Sequence, residues 1–267
     1  MAQAKAISFL DRMGRAAVAA VAELGFAAVL LGQALLWTVI GRARRQPVRL
    51  SAVVKEAMDI GIRALPIVTI MSGTIGIMLA IQGIYSLRIF GAESKVTLGV
   101  ALSIVREFGP LITGILVAGR SGSALAARLG TMKISQEIDA LTVMGINPVR
   151  FLVAPPLLAA LVMIPALTFY ADLIGLLAAG LYISAELGQT LSAYWLDAIE
   201  SITANDLLHG LGKSVLFAVL IVLVGVINGL SVSGGAEGVG RMTTRSVVHA
   251  ISAIIITDML FVFVTTR

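Results

Sequence analysis

Residues 96–118, VTLGVALSIVREFGPLITGILVA, decide the class of fold. The stretch is apolar over a membrane-spanning length except for one charged pair, Arg106 and Glu107. At about 1.5 Å of helical rise per residue, this pair lies about halfway through the hydrocarbon core of a bilayer. A charge at that depth is costly unless it faces protein, water or an opposite charge. The stretch therefore predicts a transmembrane helix that carries a charged pair for packing or for transport.

The composition extends this prediction to nearly the whole chain. Of its 267 residues, 58% are hydrophobic and 13% are charged, and the mean hydropathy is +0.98. A soluble domain is about half apolar and about a quarter charged. Six segments have membrane-compatible length and leave no room for a separate catalytic domain. They are roughly 16–40, 64–87, 96–119, 151–183, 207–230 and 247–264.

The distribution of positive charge predicts which loops are cytoplasmic. Lys and Arg cluster in 42–63, 120–150 and 231–246. In contrast, the charged residues of 184–206 are all acidic, and 88–95 is mixed. By the positive-inside rule, the first three loops are cytoplasmic and the last two lie on the outer side of the membrane. Five spans from residue 64 onward fit this alternation and place the C-terminus on the outer side.

Segment 16–40 does not fit the alternation, because basic residues flank both of its ends. They are Arg12, Arg15, Arg42, Arg44, Arg45 and Arg49. Such flanks are typical of a helix that is re-entrant or lies in the cytoplasmic interface, and an ordinary first span is the alternative. We therefore predict an all-α polytopic membrane protein with five transmembrane helices and an N-terminal elbow helix. Residues 1–63 hold the elbow and a linker helix at 50–62 that Ser51 could cap, and residues 64–267 form the five-span domain.

Further polar side chains lie at membrane depth in the predicted spans. They are Gln82, Tyr85, Asp172, Lys213 and Asp258. Because ionisable residues in a membrane are functional candidates, we expect a polar substrate cavity around Arg106 and Glu107, with a purely structural ion pair as the alternative. Arg106 suits a phosphate group, and Glu107 would hold it oriented while the site is empty. Asp258 alone is better explained by packing, and Asp172 and Lys213 could lie near the outer interface, where lysine can snorkel.

The loop 133–148, KISQEIDALTVMGINP, predicts a short amphipathic helix. Its apolar or small residues recur at helical spacing; they are Ile134, Ile138, Leu141 and either Met144 or Gly145. Polar and acidic residues near its start suit the helix dipole; they are Gln136, Glu137 and Asp139. Gly145 and Pro148 are stop signals. Because helices that rest on lipid usually carry basic residues, the acidic ones favour a protein partner.

No motif predicts catalysis, a metal or a nucleotide. Gly212-Lys213-Ser214 would need a glycine at Leu207 to complete a phosphate loop. The Gly-rich stretch 233–240 is better explained as a flexible turn. The two histidines lack the spacing of metal ligands, and the chain has no cysteine. We expect no cofactor and no catalytic activity in the chain itself.

Residues 106–155, REFGPLITGILVAGRSGSALAARLGTMKISQEIDALTVMGINPVRFLVAP, resemble the MlaE/YrbE family of ABC-transporter permeases. GLGKSVLFA at 210–218 and GVGRMTTRSVVHA at 238–250 are similar to the same family, and the resemblance covers residues 10–267 in order. It implies a homodimeric permease with five spans and an elbow helix, paired with a separate ABC ATPase.

The resemblance also implies a substrate and partners. Family members move phospholipid between the inner membrane and a periplasmic carrier system of MCE-domain proteins, and so maintain the lipid asymmetry of the outer membrane. Some systems add a STAS-domain protein on the ATPase, and none of these roles involves nucleic acid. The implied location is the inner membrane, with the N-terminus in the cytoplasm and the C-terminus in the periplasm.

Individual residues match family positions. Arg106 and Glu107 match a polar pair in the lipid cavity. Gln82 and Tyr85 match a cavity-lining segment, and Lys213 matches a basic residue of the fourth span. Residues 133–146 match the coupling helix that enters the ATPase groove, and its candidate contacts are Gln136, Glu137, Asp139, Leu141, Met144 and Gly145. The chain departs from the family at Arg128, where an acidic residue is common, and at Pro156, where Arg is common.

Two other functions stay open from the sequence. One is an ion-coupled secondary transporter with Asp172, Asp258 and Glu107 as a proton relay, although such proteins commonly contain internal repeats and none is visible. The other is a membrane anchor for an MCE-type partner that transports nothing. The sequence favours a phospholipid permease whose energy comes from ATP hydrolysis in another subunit.

Overall fold

The computed structural model describes residues 2–41 and 47–265, and within these ranges it contains helices and turns but no β-strand. Arg42, Arg44 and Arg45 lie outside the described residues, as do the side chains of Arg12 and Arg15. Helical segments long and apolar enough to cross a membrane are Val21–Thr38, Leu50–Arg88, Glu93–Ile134, Val149–Leu187, Ala204–Leu230 and Gly235–Thr265. The chain is thus an all-α polytopic membrane protein. The elbow conformation of the first segment stays a prediction.

The helices follow one another closely along the chain. They are α1 (Ala2–Ile40), α2 (Leu50–Ile60), α3 (Leu65–Arg88), α4 (Val96–Ser103), α5 (Gly109–Val117), α6 (Ser123–Ile134), α7 (Glu137–Val143), α8 (Ala154–Leu187), α9 (Leu191–Ser201), α10 (Ala204–Leu230) and α11 (Gly235–Thr265). π-helical turns at Ile104–Phe108, Ala118–Gly122 and Val149–Val153 precede α5, α6 and α8. The linker helix is present as α2, but Ser51 lies inside it, and the capping residue is Arg49, whose side chain makes no capping hydrogen bond.

The last helix begins earlier than the sequence predicted. Gly234 and Gly235 adopt positive φ angles of 83° and 73° and turn the chain directly into α11. The Gly-rich stretch predicted as a flexible turn is helical from Gly235 onward. The early start of α11 requires glycine at position 238, because any Cβ there would lie 1.9 Å from the carbonyl oxygen of Ser233. The connection between α10 and α11 is therefore a short turn.

Small residues bring α3 and α8 into close contact at the centre of the bundle. On α3 the buried small residues follow one another at intervals of four: Ser72, Gly76 and Ala80. The matching residues on α8 are Ala171, Gly175 and Ala179. A Cβ on Gly76 would lie 2.2 Å from the carbonyl oxygen of Gly175. Because lipid supplies no hydrophobic drive for association between helices, such close backbone packing is what holds them together.

Helix α9 is fixed to the outer end of α8 by one aromatic side chain. Tyr194 is fully buried, and its hydroxyl donates a 3.1 Å hydrogen bond to the carbonyl oxygen of Leu176. Its ring fills the space above Gly180, where a Cβ would lie 2.3 Å from the ring. A tyrosine hydroxyl is protonated at neutral pH, and burial raises the pKa of Tyr194 further, to about 12. The segment 184–206, predicted as a loop, thus contains an ordered helix.

Candidate functional site

Arg106 and Glu107 lie in a π-helical turn, Ile104–Phe108, rather than in regular α-helix. Pro110 has no amide hydrogen and cannot donate to the carbonyl of Val105, five residues earlier. That oxygen faces α10 at Gly210, where a Cβ would lie 2.1 Å from it. The close approach brings the polar start of α10 to the level of the charged pair. π-Helical turns of this kind are frequent at functional sites.

The two charges pair with α10 and not with each other. Arg106 Nε lies 3.4 Å from Asp206 Oδ1, and Lys213 Nζ donates a 2.5 Å hydrogen bond to Glu107 Oε2. The expectation that Glu107 orients Arg106 is therefore wrong. Adjacent residues on a helix point about 100° apart, so the two side chains reach different turns of α10. Asp206 and Lys213, seven residues apart, lie on the same face of that helix.

Lys213 is fully buried between two carboxylates. Besides Glu107, Asp258 on α11 places its Oδ1 atom 3.0 Å from the ammonium group. The ring centroid of Phe261 lies 5.9 Å from the same nitrogen. Lys213 therefore does not snorkel to the outer interface, as the sequence had allowed. Asp258 has the structural partner that its isolated position in the sequence suggested.

Asp206 was missed by sequence reasoning, because it was assigned to an outer loop. Its Oδ2 atom accepts a 2.9 Å hydrogen bond from the amide of Thr203, and Thr203 Oγ1 accepts a 3.3 Å bond from the amide of Asp206. This capping box opens α10. The other carboxylate oxygen faces Arg106. The signal available in the sequence was the capping pattern before an apolar run, two helical turns ahead of Lys213.

The charged cluster is open on one side. The side chains of Arg106 and Glu107 are each 39% exposed, whereas that of Lys213 is completely enclosed. Arg106 makes no hydrogen bond to any described residue through its two terminal nitrogens. Its Nε atom faces Asp206 at 3.4 Å without a hydrogen bond, and its terminal nitrogens can donate at the outer edge of the group. The cluster contains three acidic and two basic groups, and Arg106 is the exposed cation of the two, because Lys213 is completely enclosed.

Gln82 and Tyr85 do not join this cluster within one chain. Both side chains are exposed on α3, and Gln82 Nε2 donates a 3.3 Å hydrogen bond to Ser86 Oγ. Gln82 lines a groove of about 250 Å³ between α3 and α4 that includes Ser103 but neither Arg106 nor Glu107. The cavity residues predicted from the sequence thus form two separate polar layers.

Asp172 is buried beside the π-helical turn. Gly109 leaves room for it, since a Cβ there would lie 1.7 Å from Asp172 Oδ1. That oxygen has no hydrogen-bond partner among the described residues. No hydrogen bond in this part of the chain links Asp172 to Glu107 or Asp258. A proton relay through these three carboxyl groups would need such a link.

The predicted coupling helix is shorter than residues 133–146. Helix α6 continues through Ile134, and α7 begins only at Glu137 because Gln136 adopts the left-handed conformation with φ of 57°. The predicted stop is confirmed. Gly145 has φ of 73°, and the amides of Gly145 and Ile146 donate back to the carbonyls of Thr142 and Leu141. This is a Schellman C-cap.

The exposed face of α7 differs from the one that the apolar spacing indicated. Leu141 is only 8% exposed and is buried within its own chain. Val143 is 89% exposed, and Met144 is 64% exposed. Glu137 and Asp139 are exposed as well. The surface available to another protein is therefore an acidic start followed by two apolar side chains, of which sequence reasoning had identified only Met144.

These features define a multi-pass α-helical membrane protein whose polar groups meet between spans, as in a transporter subunit. Residues 53–264 match the family described as Permease MlaE. The chain belongs to this family, which confirms the resemblance seen in residues 106–155. It is therefore the membrane subunit of an ABC-type transporter and a multi-pass protein of the inner membrane.

Individual relatives agree with the family assignment. The chain is 33% identical to a probable ABC transporter permease protein of Rickettsia typhi, over 81% of this chain and 86% of the relative. It is 32% identical to the intermembrane phospholipid transport system permease protein MlaE of Haemophilus influenzae, over 91% and 92%. It is also 32% identical to the chloroplastic protein TRIGALACTOSYLDIACYLGLYCEROL 1 of Arabidopsis thaliana, over 74% of this chain and 57% of that protein.

Proposed function

We propose that this permease moves phospholipid and that it works as a homodimer with a separate ABC ATPase. The observation that carries the proposal is Arg106, whose side chain forms an ion pair with Asp206 at 3.4 Å and is 39% exposed. The name of the Haemophilus relative supports the same substrate class. In this proposal a periplasmic MCE-domain protein exchanges lipid with the permease, a STAS-domain protein can accompany the ATPase, and the system maintains outer-membrane asymmetry.

Arg106 would recognise the phosphate of the lipid headgroup. A planar guanidinium group can donate two parallel hydrogen bonds to phosphate oxygens. The neighbouring carboxylate of Glu107 would repel the same phosphate if it were unpaired. Lys213 pairs with it from inside the bundle and is shared with Asp258. The cluster carries one acidic group in excess, and Arg106 is the exposed positive group that it offers to a phosphate.

A second copy of the chain would complete the cavity. Gln82 and Tyr85 are exposed on α3, outside the charged cluster of their own chain. Helix α11 exposes an apolar surface that includes Ile255, Met259 and Phe263. In a homodimer that covers such surfaces, the polar layer of α3 and the charged cluster can face one shared cavity. The proposed orientation keeps the N-terminus in the cytoplasm and the C-terminus in the periplasm.

The test is lipid transport by the permease reconstituted with its ATPase. Arg106→Ala should lower transport and the amount of copurified phospholipid by about tenfold or more, because a hydrogen bond to a charged group contributes about 1.5–3 kcal/mol. Arg88→Ala is the matched control. Arg88 is also a partly exposed arginine in ion pairs, with Glu93 and Glu186 at the outer end of α3. We expect this control to transport normally.

A double variant distinguishes headgroup binding by Arg106 from a purely structural role of its charge. Because Asp206 is its partner, Arg106→Met combined with Asp206→Asn removes both charges and keeps a side chain that can cap α10. If this double variant transports and copurifies lipid normally, Arg106 does not bind the headgroup. If Arg106→Ala fails to assemble and the double variant assembles again, Arg106 likewise has a structural role and does not bind the headgroup.

The energy source separates the remaining functions. The isolated chain should hydrolyse no ATP, and reconstituted transport should require the ATPase and be insensitive to ionophores. Transport that follows an ion gradient without ATP would support a secondary transporter. A complex that assembles normally but never moves lipid, whatever residue stands at 106, would support a membrane anchor for an MCE-type partner.

A further inference from the structure

A second polar site lies at the other end of the bundle from the charged cluster. A groove of about 440 Å³ opens where α2 begins beside the turn that leads into α8. Its charged lining residues are Arg49, Lys55, Glu56, Arg128 and Arg150. We call this the basic groove. It shares no residue with the cluster around Arg106 and Lys213.

The basic groove has uncompensated positive charge. Glu56 Oε1 lies 2.7 Å from Arg128 Nη2, so its one carboxylate is already neutralised. Among the side chains that the structure describes, no carboxylate lies within ion-pair distance of Arg49, Lys55 or Arg150. Three cationic side chains therefore share one concave surface without a counter-ion among those side chains, and their mutual repulsion favours the binding of an anion.

Two of these cations are held in place by aromatic rings. The guanidinium carbon of Arg49 lies 5.5 Å from the ring centroid of Phe151, and that of Arg150 lies 5.9 Å from the ring centroid of Trp37. Such contacts position a guanidinium group over a ring face. They use none of its N–H donors. The donors of both arginines thus remain available to a ligand.

An apolar surface lies next to the basic groove. The exposed residues Leu50, Val54 and Met58 recur every fourth position along α2 and form one stripe. Residues of the same helix that line the groove, such as Lys55, lie on the adjacent face. A soluble anion or an acidic protein segment would leave this apolar stripe uncovered. Acyl chains can lie along the stripe while the headgroup occupies the groove.

We propose that the basic groove binds the phosphate of an anionic phospholipid from the cytoplasmic leaflet. Segments 42–63 and 120–150 supply its cations, and both are predicted to be cytoplasmic from their charge. Basic pockets between transmembrane helices on that side commonly bind anionic headgroups. The lipid would tie α1, α2 and the start of α8 together. This inference does not depend on the proposed transport cavity, and a failed transport assay would leave it intact.

Native mass spectrometry of the full-length chain in detergent tests the proposal. The protein is titrated with phosphatidylglycerol and, in parallel, with phosphatidylethanolamine. The double variant Lys55→Gln with Arg150→Gln should bind phosphatidylglycerol about thirtyfold more weakly, from about 1 kcal/mol for each basic residue. The control is Arg241→Gln with Arg245→Gln, which removes two positive charges from another segment predicted to be cytoplasmic. It should bind phosphatidylglycerol like the native chain.

Three results would overturn the proposal. The first is equal loss of phosphatidylglycerol binding in the double variant and the control. The second is displacement of the lipid by millimolar inorganic phosphate, which would assign the groove to a soluble anion. The third is loss of ATPase copurification in the double variant while lipid binding is unchanged, which would assign the groove to an acidic protein segment. If the double variant does not fold, Arg150→Lys with Lys55→Arg keeps the charge and should restore folding and lipid binding together.

Discussion

Lys213 has no exposed surface, and its ammonium group lies between Glu107 and Asp258. Removing one partner of a buried ion pair costs about 3–5 kcal/mol, because the other charge is left unpaired. We therefore expect Lys213→Met to lower the thermal midpoint of the detergent-solubilised protein most strongly. Asp258→Asn should have a smaller effect. Glu107→Gln should have the smallest, since Glu107 is 39% exposed and Lys213 keeps Asp258 as its partner.

Lys95→Met is the control for this series, because Lys95 is exposed and makes no ion pair within the described part of the chain. Its thermal midpoint should equal that of the native protein in the same detergent. If Lys213→Met melts at the same temperature as Lys95→Met, Lys213 is not held as a buried charge. If Glu107→Gln lowers the thermal midpoint more than Asp258→Asn does, Glu107 is the more important partner of Lys213.

The sequence predicted which residues carry charge in the membrane but not how they pair. Arg106, Glu107 and Lys213 were identified by their depth in apolar segments, and all three lie in one cluster. Their pairing depends on the π-helical turn and on Gly210, which set the height of α10 against Val105. Helical periodicity carries no information about such an offset between helices. Asp206 was missed for another reason, because it was assigned to an outer loop.

At the scale of helices, the crossing of α3 and α8 depends on Gly76. A methyl group there would collide with the backbone of Gly175, which cannot yield as a flexible side chain can. We expect Gly76→Ala to destabilise the protein by about 1–3 kcal/mol, the usual range for overpacking. Gly99→Ala on α4 is the matched control, because a Cβ at Gly99 has no neighbour within 4 Å. Chemical unfolding in detergent should separate the two variants, and equal stability would argue against close packing at Gly76.

On helix α7, substitutions at buried and at exposed residues distinguish a structural role from a docking role. Leu141→Asp places a charge inside the chain and should reduce folding even without a partner. Val143→Asp changes a fully accessible position and should leave the permease folded, but we expect it to lose the proposed ATPase in copurification. Thr142→Asp, an exposed neighbour outside the apolar pair, is the control for added charge. ATPase binding that survives Val143→Asp and Met144→Asp together would show that α7 is not the docking helix.

The α7 segment also shows why element bounds are harder to predict than elements. The stop at Gly145 was readable, because a positive φ angle is a local preference of glycine. The start was not readable, because Gln136 adopts the same conformation without being glycine. The apolar spacing therefore ran across a break and combined Ile134 of α6 with residues of α7. This displaced the predicted face and brought in Leu141, which packs inward.

For the whole molecule, contacts sort the loops into two groups that match the charge pattern. Arg128 pairs with Glu56, so two segments predicted to be cytoplasmic meet at one end, and Lys133 donates to the carbonyl of Leu230, directly before the third such segment. At the other end Arg88 lies 3.3 Å from Glu186 and joins the two segments predicted to be periplasmic. These contacts were not used in deriving the topology from charge. The two ends of the bundle are thus chemically distinct, with the basic groove at the first and the outer helix α9 at the second.

The topology of α1 decides whether the molecule has five or six spans. A crossing by α1 would carry Arg12 and Arg15 to the periplasm, against the positive-inside rule. Because the chain contains no cysteine, single cysteines report location without background. Ser94→Cys should react with an impermeant maleimide from the periplasm, and Ala140→Cys only in inverted vesicles. We expect Gln3→Cys to behave like Ala140→Cys, since an elbow helix returns to the side it left. Reaction of Gln3→Cys alongside Ser94→Cys would instead establish six spans and put the N-terminus in the periplasm.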